Sequence, residues 1–261
     1  MNFEKISRIP KRIKQDLKII SLAKNWKDIL SAKLKQSPLL KIKLRNGVTI
    51  NSPAEVNLNF LFHEIWLDEI YLAKGYEIKP NDVVFDVGGN IGVFAFYAAT
   101  KASNVKVHSF EPFPKNAEYF EQNLAESKIK NIVLYKSAIA DATGERTLHV
   151  HESWIKHSLN ENSSETSGTA VHCVSLDEAL KNFAVCNLLK LDCEGSEYEI
   201  LYSSSPETLN KVKKIVGEYH NLDDQEKNGE SLRKFLEKNN YQIAVFQAFD
   251  EQSGLICAEK Q

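Results

Sequence analysis

The chain has 261 residues, of which 43% are hydrophobic and 26% charged, with 13 Phe, 9 Tyr and 3 Trp. This composition supplies enough apolar surface for a core and excludes extensive disorder, while the lack of any apolar run near ~18 residues excludes a membrane-spanning helix. The net charge of −2 is split: residues 1–45 carry 13 Lys and Arg against Glu4, Asp16 and Asp28, a net of +10, and the remainder carries −12.

A basic arm on an acidic body points to an anionic partner for the arm, or to a solvated helical face. The periodicity predicts helix over 3–35, with Ile6, Ile9, Ile13, Leu17 and Ile20 at steps of three or four and a break near Pro10. Leu39–Leu44 and Val48–Ile50 flank Asn46-Gly47, a hairpin signal because both turn residues tolerate positive φ. Residues 58–73 read as an apolar helix. The opening residues lack the apolar block of a secretory signal, so a cytoplasmic location is expected. The four Cys, at 173, 186, 193 and 257, suit neither a zinc site nor a disulfide framework.

From residue 82 strands alternate with helices: strand 83–87, helix 91–101, strand 105–110, helix 114–127 and strand 132–139. Residues 141–150 read as a turn and an extra strand, and 151–170 as a polar lid. Strand 188–192, a helix from Gly195, strand 215–219, helix 230–239 and a final hairpin, 242–246 with 255–258, complete the chain. The alternation predicts an α/β fold with a mostly parallel sheet covered on both faces and a C-terminal antiparallel hairpin. Residues 1–80 form a helical and hairpin extension, and 81–261 the main domain.

Three blocks fall at the carboxyl ends of predicted strands, where open α/β sheets bind ligands. In the first, Asp86-Val-Gly-Gly-Asn-Ile-Gly, glycines let the backbone approach a ligand closely at a helix start. Asn90 replaces the second glycine of the dinucleotide fingerprint counted from Gly88, which disfavours a nicotinamide cofactor. In the second block Glu111 ends a strand 19 residues after Gly92, placed to accept hydrogen bonds from both ribose hydroxyls of an adenosine. Pro112 and Pro114 shape the turn that follows, and Asn116 fits either a ligand contact or a helix-start cap. The third block, Lys190-Leu-Asp-Cys-Glu-Gly-Ser-Glu, puts Lys190 and Asp192 on one side of a strand with Glu194 at its edge. His220, after the next strand, faces the same crevice with a side chain suited to proton transfer near pH 7. His149, His151, His157 and His172 lack metal-ligand spacing, and no metal is assigned. Asp192 with His220 and Asn221 is an alternative magnesium set, weakened because imidazole is a poor ligand for that ion.

These blocks resemble the FkbM-type methyltransferases over about residues 45–260. Gly89, Cys193 and Ser196 depart mildly from the family pattern. The resemblance implies a Rossmann-like class I methyltransferase fold, S-adenosyl-L-methionine as methyl donor, and a hydroxyl-bearing acceptor such as a sugar or glycan. The implied donor site comprises Asp86, Gly88, Asn90, Gly92, Glu111, Pro112, Asn116, Ser137, Ala138 and Asp192. His220 or Asp192 is expected as base, with Glu194 orienting the acceptor and Trp154, Lys156 and His157 in the lid. Other acceptors (lipid, natural product or RNA) and a non-catalytic interaction protein are the alternatives. Nucleic acid is disfavoured because an acidic body repels phosphates. The basic arm is expected either to touch an anionic membrane or to pack as an N-terminal cap.

Overall fold

The computed structural model describes residues 10–149, 168–223 and 225–261. Its centre is a seven-stranded sheet: β3 (Val83–Val87), β4 (Lys106–Phe110), β5 (Ile132–Tyr135), β9 (Leu188–Leu191), β10 (Lys214–His220), β11 (Tyr241–Ala248) and β12 (Ser253–Lys260). The order across the sheet is β11-β12-β10-β9-β3-β4-β5. Pairs among β5, β4, β3, β9 and β10 are parallel, whereas β12 runs antiparallel between β10 and β11. This is the expected Rossmann-like α/β fold with its C-terminal hairpin. The order reverses between β3 and β9, and the crevice beyond their carboxyl ends is the ligand position of such sheets.

Helices α4 (Val93–Lys101) and α5 (Pro114–Ser127) follow β3 and β4. The first seven residues of α4 are all buried. Such a helix needs cover on its outer side, and the N-terminal extension provides it. Trp66 donates its indole N–H to the Val93 carbonyl (3.3 Å) and meets Tyr97 edge-on at 5.2 Å. Ile19, Ile29, Ile42, Phe62, Phe96 and Phe120 share one buried cluster, so residues 10–80 and the sheet have a common core.

The expected long N-terminal helix is two helices, α1 (Lys11–Leu22) and α2 (Trp26–Lys35). The break has a local cause. Ala23 is extended and pairs with Leu44, and the Asn25 amide bonds the Lys41 carbonyl and the Lys43 N–H at 2.9 and 2.8 Å. Those bonds dock the short hairpin β1 (Lys41–Lys43) and β2 (Thr49–Asn51), which turns through Gly47 at φ +97°. The apolar segment predicted over 58–73 is a short helix α3 (Leu58–Phe62) running into a π-helical turn, His63–Leu67.

The third predicted strand is also split. β5 ends at Tyr135, and β6 (Ala138–Ala140) leaves the central sheet to pair with β8 (Gly168–Ser175), which also pairs with β7 (Gly144–His149). Most of the predicted lid, with Trp154, Lys156 and His157, lies outside the described residues, as do Ile6 and Ile9. Two short helices, α6 (Leu176–Leu180) and α8 (Pro206–Lys211), flank β9 and α7 (Glu197–Ser203), and α9 (Gly229–Lys238) precedes β11.

Candidate functional site

A cavity of about 910 Å³, counting its open mouth, lies at the carboxyl ends of β3, β4 and β9. Of the expected donor-site residues, Gly88, Asn90, Glu111, Pro112, Asn116, Ala138 and Asp192 line it, together with Glu194. Asp86, Gly92, Ser137 and His220 are not in its lining. The small sheet contributes Ala138, Ile139 and Leu148, and the N-terminal extension contributes Leu61 and Ile65.

The glycine loop is shaped by what it must pass. Gly88 has φ +79°, and a Cβ there would lie 1.8 Å from the Asp192 carbonyl oxygen. Gly92, at φ +94°, packs on Phe120, where a Cβ would meet the ring at 2.6 Å. Gly92 therefore serves the packing of the loop and not the lining.

Asp86 also acts from behind the wall. It is fully buried, ion-paired to Lys190 Nζ (3.2 Å), and accepts the Ser109 hydroxyl at 2.7 Å. Lys190 in turn donates to the Gly88 carbonyl (2.9 Å) and lies 3.5 Å from Asp192 Oδ2. Burial opposes charge on Lys190, but Asp86 and Asp192 hold its pKa above the ordinary lysine value. The lysine thus ties β9 to the glycine loop and partly neutralises two carboxylates.

Glu111 is preorganised by the turn after β4. Its Oε2 accepts the Asn90 N–H at 2.7 Å and its Oε1 the Phe113 N–H at 2.8 Å. Burial raises its pKa to about 7 against the pull of these two bonds. Two further polar atoms in the lining residues, Asn116 Oδ1 and Ser196 Oγ, are buried without a hydrogen-bond partner. Unpaired buried acceptors and hydroxyls are costly in a closed core, and such a pair on a cavity wall fits a polar ligand.

At the other end of the cavity, Asp192 is the visible member of a carboxyl cluster. The Tyr71 hydroxyl lies 3.1 Å from Asp192 Oδ2 and 2.9 Å from Glu218 Oε1. One phenolic proton serves one carboxylate at a time. Burial and then the Asp192 charge push Glu218 up to about 8, so its carboxyl is mostly protonated at neutral pH and can supply the second proton of the chain. Glu64, on the π-helical turn, is raised to about 7 by burial and by Asp192. None of Glu64, Tyr71 and Glu218 was a site candidate from sequence. Their only signal was the strand end at Glu218 and an acid inside an apolar helical segment.

His220 stands between Glu197 and Glu194, with Nδ1 at 3.1 Å and Nε2 at 3.5 Å from their carboxylate oxygens. Burial alone would lower its pKa, but the bond and charge of Glu197, with Glu194 and Asp192, push it up to about 9. It is a cation at neutral pH. Glu197, fully buried, also accepts the Gly195 and His220 backbone N–H groups at 2.9 and 2.7 Å, and so clamps the β9 loop to the β10 loop. Asn221 is turned into the fold: its amide oxygen accepts the Gly229 N–H and its amide nitrogen donates to the Glu251 carbonyl. It does not join Asp192 as a ligand.

Comparison with known proteins bears on this arrangement. The model of the methyltransferase FkbM domain matches residues 86–243. The chain is 28% identical over 213 residues to the 31-O-demethyl-FK506 methyltransferase FkbM of Streptomyces tacrolimicus, covering 70% of this chain and 82% of that one. It is 25% identical over 230 residues to Methyltransferase 1 of Beauveria bassiana, covering 78% and 90%. It is 27% identical over 146 residues to the hexuronic acid methyltransferase AglP of Haloferax volcanii, covering 55% and 58%. Among solved structures, an rRNA methylase of Streptococcus thermophilus is similar with a TM-score of 0.46 and 13% identity, covering 75% and 95%. The family match begins at Asp86 and takes in the glycine loop, the Glu111 turn and the Asp192 strand end, and the chain belongs to the FkbM methyltransferase family.

Proposed function

We propose that the chain transfers a methyl group from S-adenosyl-L-methionine to a hydroxyl oxygen, borne by a sugar or glycan. The observation that carries this reading is one cavity with a preorganised carboxylate, Glu111, at its ribose end and Asp192 at its other end. The unpaired Asn116 and Ser196 atoms suit a nucleoside-bearing donor. Two relatives point to the same chemistry: one is named for a 31-O-demethyl compound, the other for a hexuronic acid.

When bound, the donor supplies a methyl group already activated on a sulfonium. The protein must align it with the acceptor and take the acceptor's proton, and alignment is worth roughly 7–11 kcal/mol. Glu111 accepts the ribose hydroxyls, and Asn116 with the Ala138 segment borders the base. Asp192 takes the hydroxyl proton as the new O–C bond forms and the sulfur–methyl bond breaks, the sulfur leaving as the neutral thioether of S-adenosylhomocysteine. Both Tyr71 and Lys190 contact Asp192 Oδ2, which leaves Oδ1 for the acceptor. Loss of the Glu218 proton places a second negative charge one hydroxyl away from Asp192, which favours movement of the acceptor's proton into the cluster. His220, already charged, holds Glu194 in position and is a positioning residue in this reading.

The test is labelled methyl transfer across a panel of hydroxyl acceptors, with calorimetry of donor binding. Asp192→Asn should lower kcat by about 10²–10⁴-fold, the usual contribution of a positioned base. His220→Gln should lower it by less than about tenfold. The reverse order would return the base role to His220. A chain that binds no S-adenosylmethionine would refute the function itself.

A further inference from the structure

The helix α1 turns an apolar stripe outward. Ile13 and Leu17, one turn apart, are 48% and 54% exposed, whereas Ile19 on the opposite side is fully buried. Of the residues whose spacing suggested an apolar face, these two therefore do not pack on the body. The inward side is held by other means. Lys11 pairs with Asp68 and Lys18 with Glu69, at 3.1 and 3.0 Å, and Lys18 also donates to the Leu67 carbonyl. Those three partners lie in and just beyond the π-helical turn, whose Ile65 lines the cavity.

The outward side combines this stripe with cations. Arg12 and Lys14 flank Ile13, both are exposed, and neither forms an ion pair among the described residues. The first turn holds no acid. Asp16, beside Leu17, is taken up by Lys33 of α2 at 2.9 Å, and Leu34, which follows Lys33, is 75% exposed. An exposed helix face with paired aliphatic side chains between cations lies flat on an anionic lipid surface: the apolar atoms enter the headgroup–acyl boundary and the cations meet phosphates. An acidic protein partner would instead be expected to face a groove or a socket for the stripe.

We infer that the outward face of α1, centred on Ile13, Leu17, Arg12 and Lys14, docks the protein on an anionic membrane. Because the other side of α1 rests on the turn that walls the cavity, docking holds the site roughly one helix diameter, about 10 Å, from the lipid surface, near an acceptor confined to the membrane.

The experiment is co-sedimentation of the full chain with phosphatidylcholine vesicles containing or lacking phosphatidylglycerol. Binding is expected only with phosphatidylglycerol, and salt should release it because exposed charges are screened. The Ile13→Ser/Leu17→Ser double variant should retain its melting temperature and donor affinity but lose at least about tenfold in vesicle partitioning. An Arg12→Glu/Lys14→Glu variant should lose a similar factor at low salt only. Full-length protein that ignores phosphatidylglycerol vesicles at low salt overturns the inference, as does a double variant that partitions like the wild type. Retention on an acidic polypeptide without vesicle binding would also overturn it and assign the face to a protein.

Discussion

Tyr71→Phe isolates the proton chain from the packing around it. The ring is buried against Phe94, edge-on at 5.6 Å, and phenylalanine keeps that contact. Only the hydroxyl is lost, and with it the contacts of 3.1 Å to Asp192 and 2.9 Å to Glu218. A hydrogen bond to a charged group is worth about 1.5–3 kcal/mol. Since one proton serves one carboxylate at a time, a single such bond sets the scale, and kcat should fall by roughly 10–150-fold. Tyr71 is not part of the cavity lining, so donor affinity should stay within about twofold. The pH–rate profile adds a readout that lost packing would not move. The Tyr71 bond lowers the Glu218 pKa, which stands at about 8, so its removal should shift the rise of activity to higher pH. Stopped assays from pH 6 to 10 with calorimetry of the donor would measure both. Wild-type kcat with an unmoved profile would reduce Tyr71 to a space-filling residue and sever Glu218 from the mechanism.

Three further outcomes follow from the geometry. Glu111→Ala should weaken donor binding by roughly 10–150-fold, because the ribose loses a charged acceptor, and unchanged calorimetric affinity would remove Glu111 from the site. Gly88→Ala should depress the melting temperature and abolish donor binding, since a Cβ 1.8 Å from the Asp192 carbonyl and a positive φ each cost about 1–3 kcal/mol. A well-folded, binding-competent Gly88→Ala protein would contradict that close approach. Without ligand, stability should fall as pH rises from about 4.5 to about 8. Glu64, Glu111 and Glu218 hold their protons more tightly when folded than at the ordinary 4.5, so their contribution is complete below about 4.5 and lost through about 7, 7 and 8. Denaturant titrations should show this slope, and Glu218→Gln should flatten it. A slope of opposite sign would mean these carboxyls are not buried.

The glycine-loop end of the cavity was legible because it is built from short-range signals. A strand, a glycine turn and a helix start are adjacent in sequence, so Gly88, Asn90 and the Glu111 turn follow from local steric and hydrogen-bonding rules. The same holds for the alternation of strands and helices. Local reasoning failed where the polar contact is distant. β8 was absent from the expected elements because its partners β6 and β7 lie on the far side of the polar segment 151–167, and no local period reports such pairing. The helical segment expected over 3–35, with its break near Pro10, has a further break at Ala23–Asn25 because the backbone partners there lie on β1 and at Leu44, residues farther along the chain.

Sequence alone determined the α/β architecture, the carboxyl-edge location of the site and the acids at its strand ends, since periodicity and turn chemistry act over a few residues. Tertiary structure decided what those acids meet. Tyr71 reaches Asp192 across 121 positions and Glu218 across 147, and only the adjacency of β9 and β10 with the extension folded over them brings the three together. That same packing sets the charges: burial and neighbouring carboxylates raise Glu218, and Glu197 turns His220 into a cation. Both effects depend on distance and dielectric in the folded state, which residue types and spacing do not encode. The N-terminal stripe illustrates the limit: a helical period predicts that one side is apolar, but which side meets the body depended on where Asp68, Glu69 and Leu67 offered partners to Lys11 and Lys18.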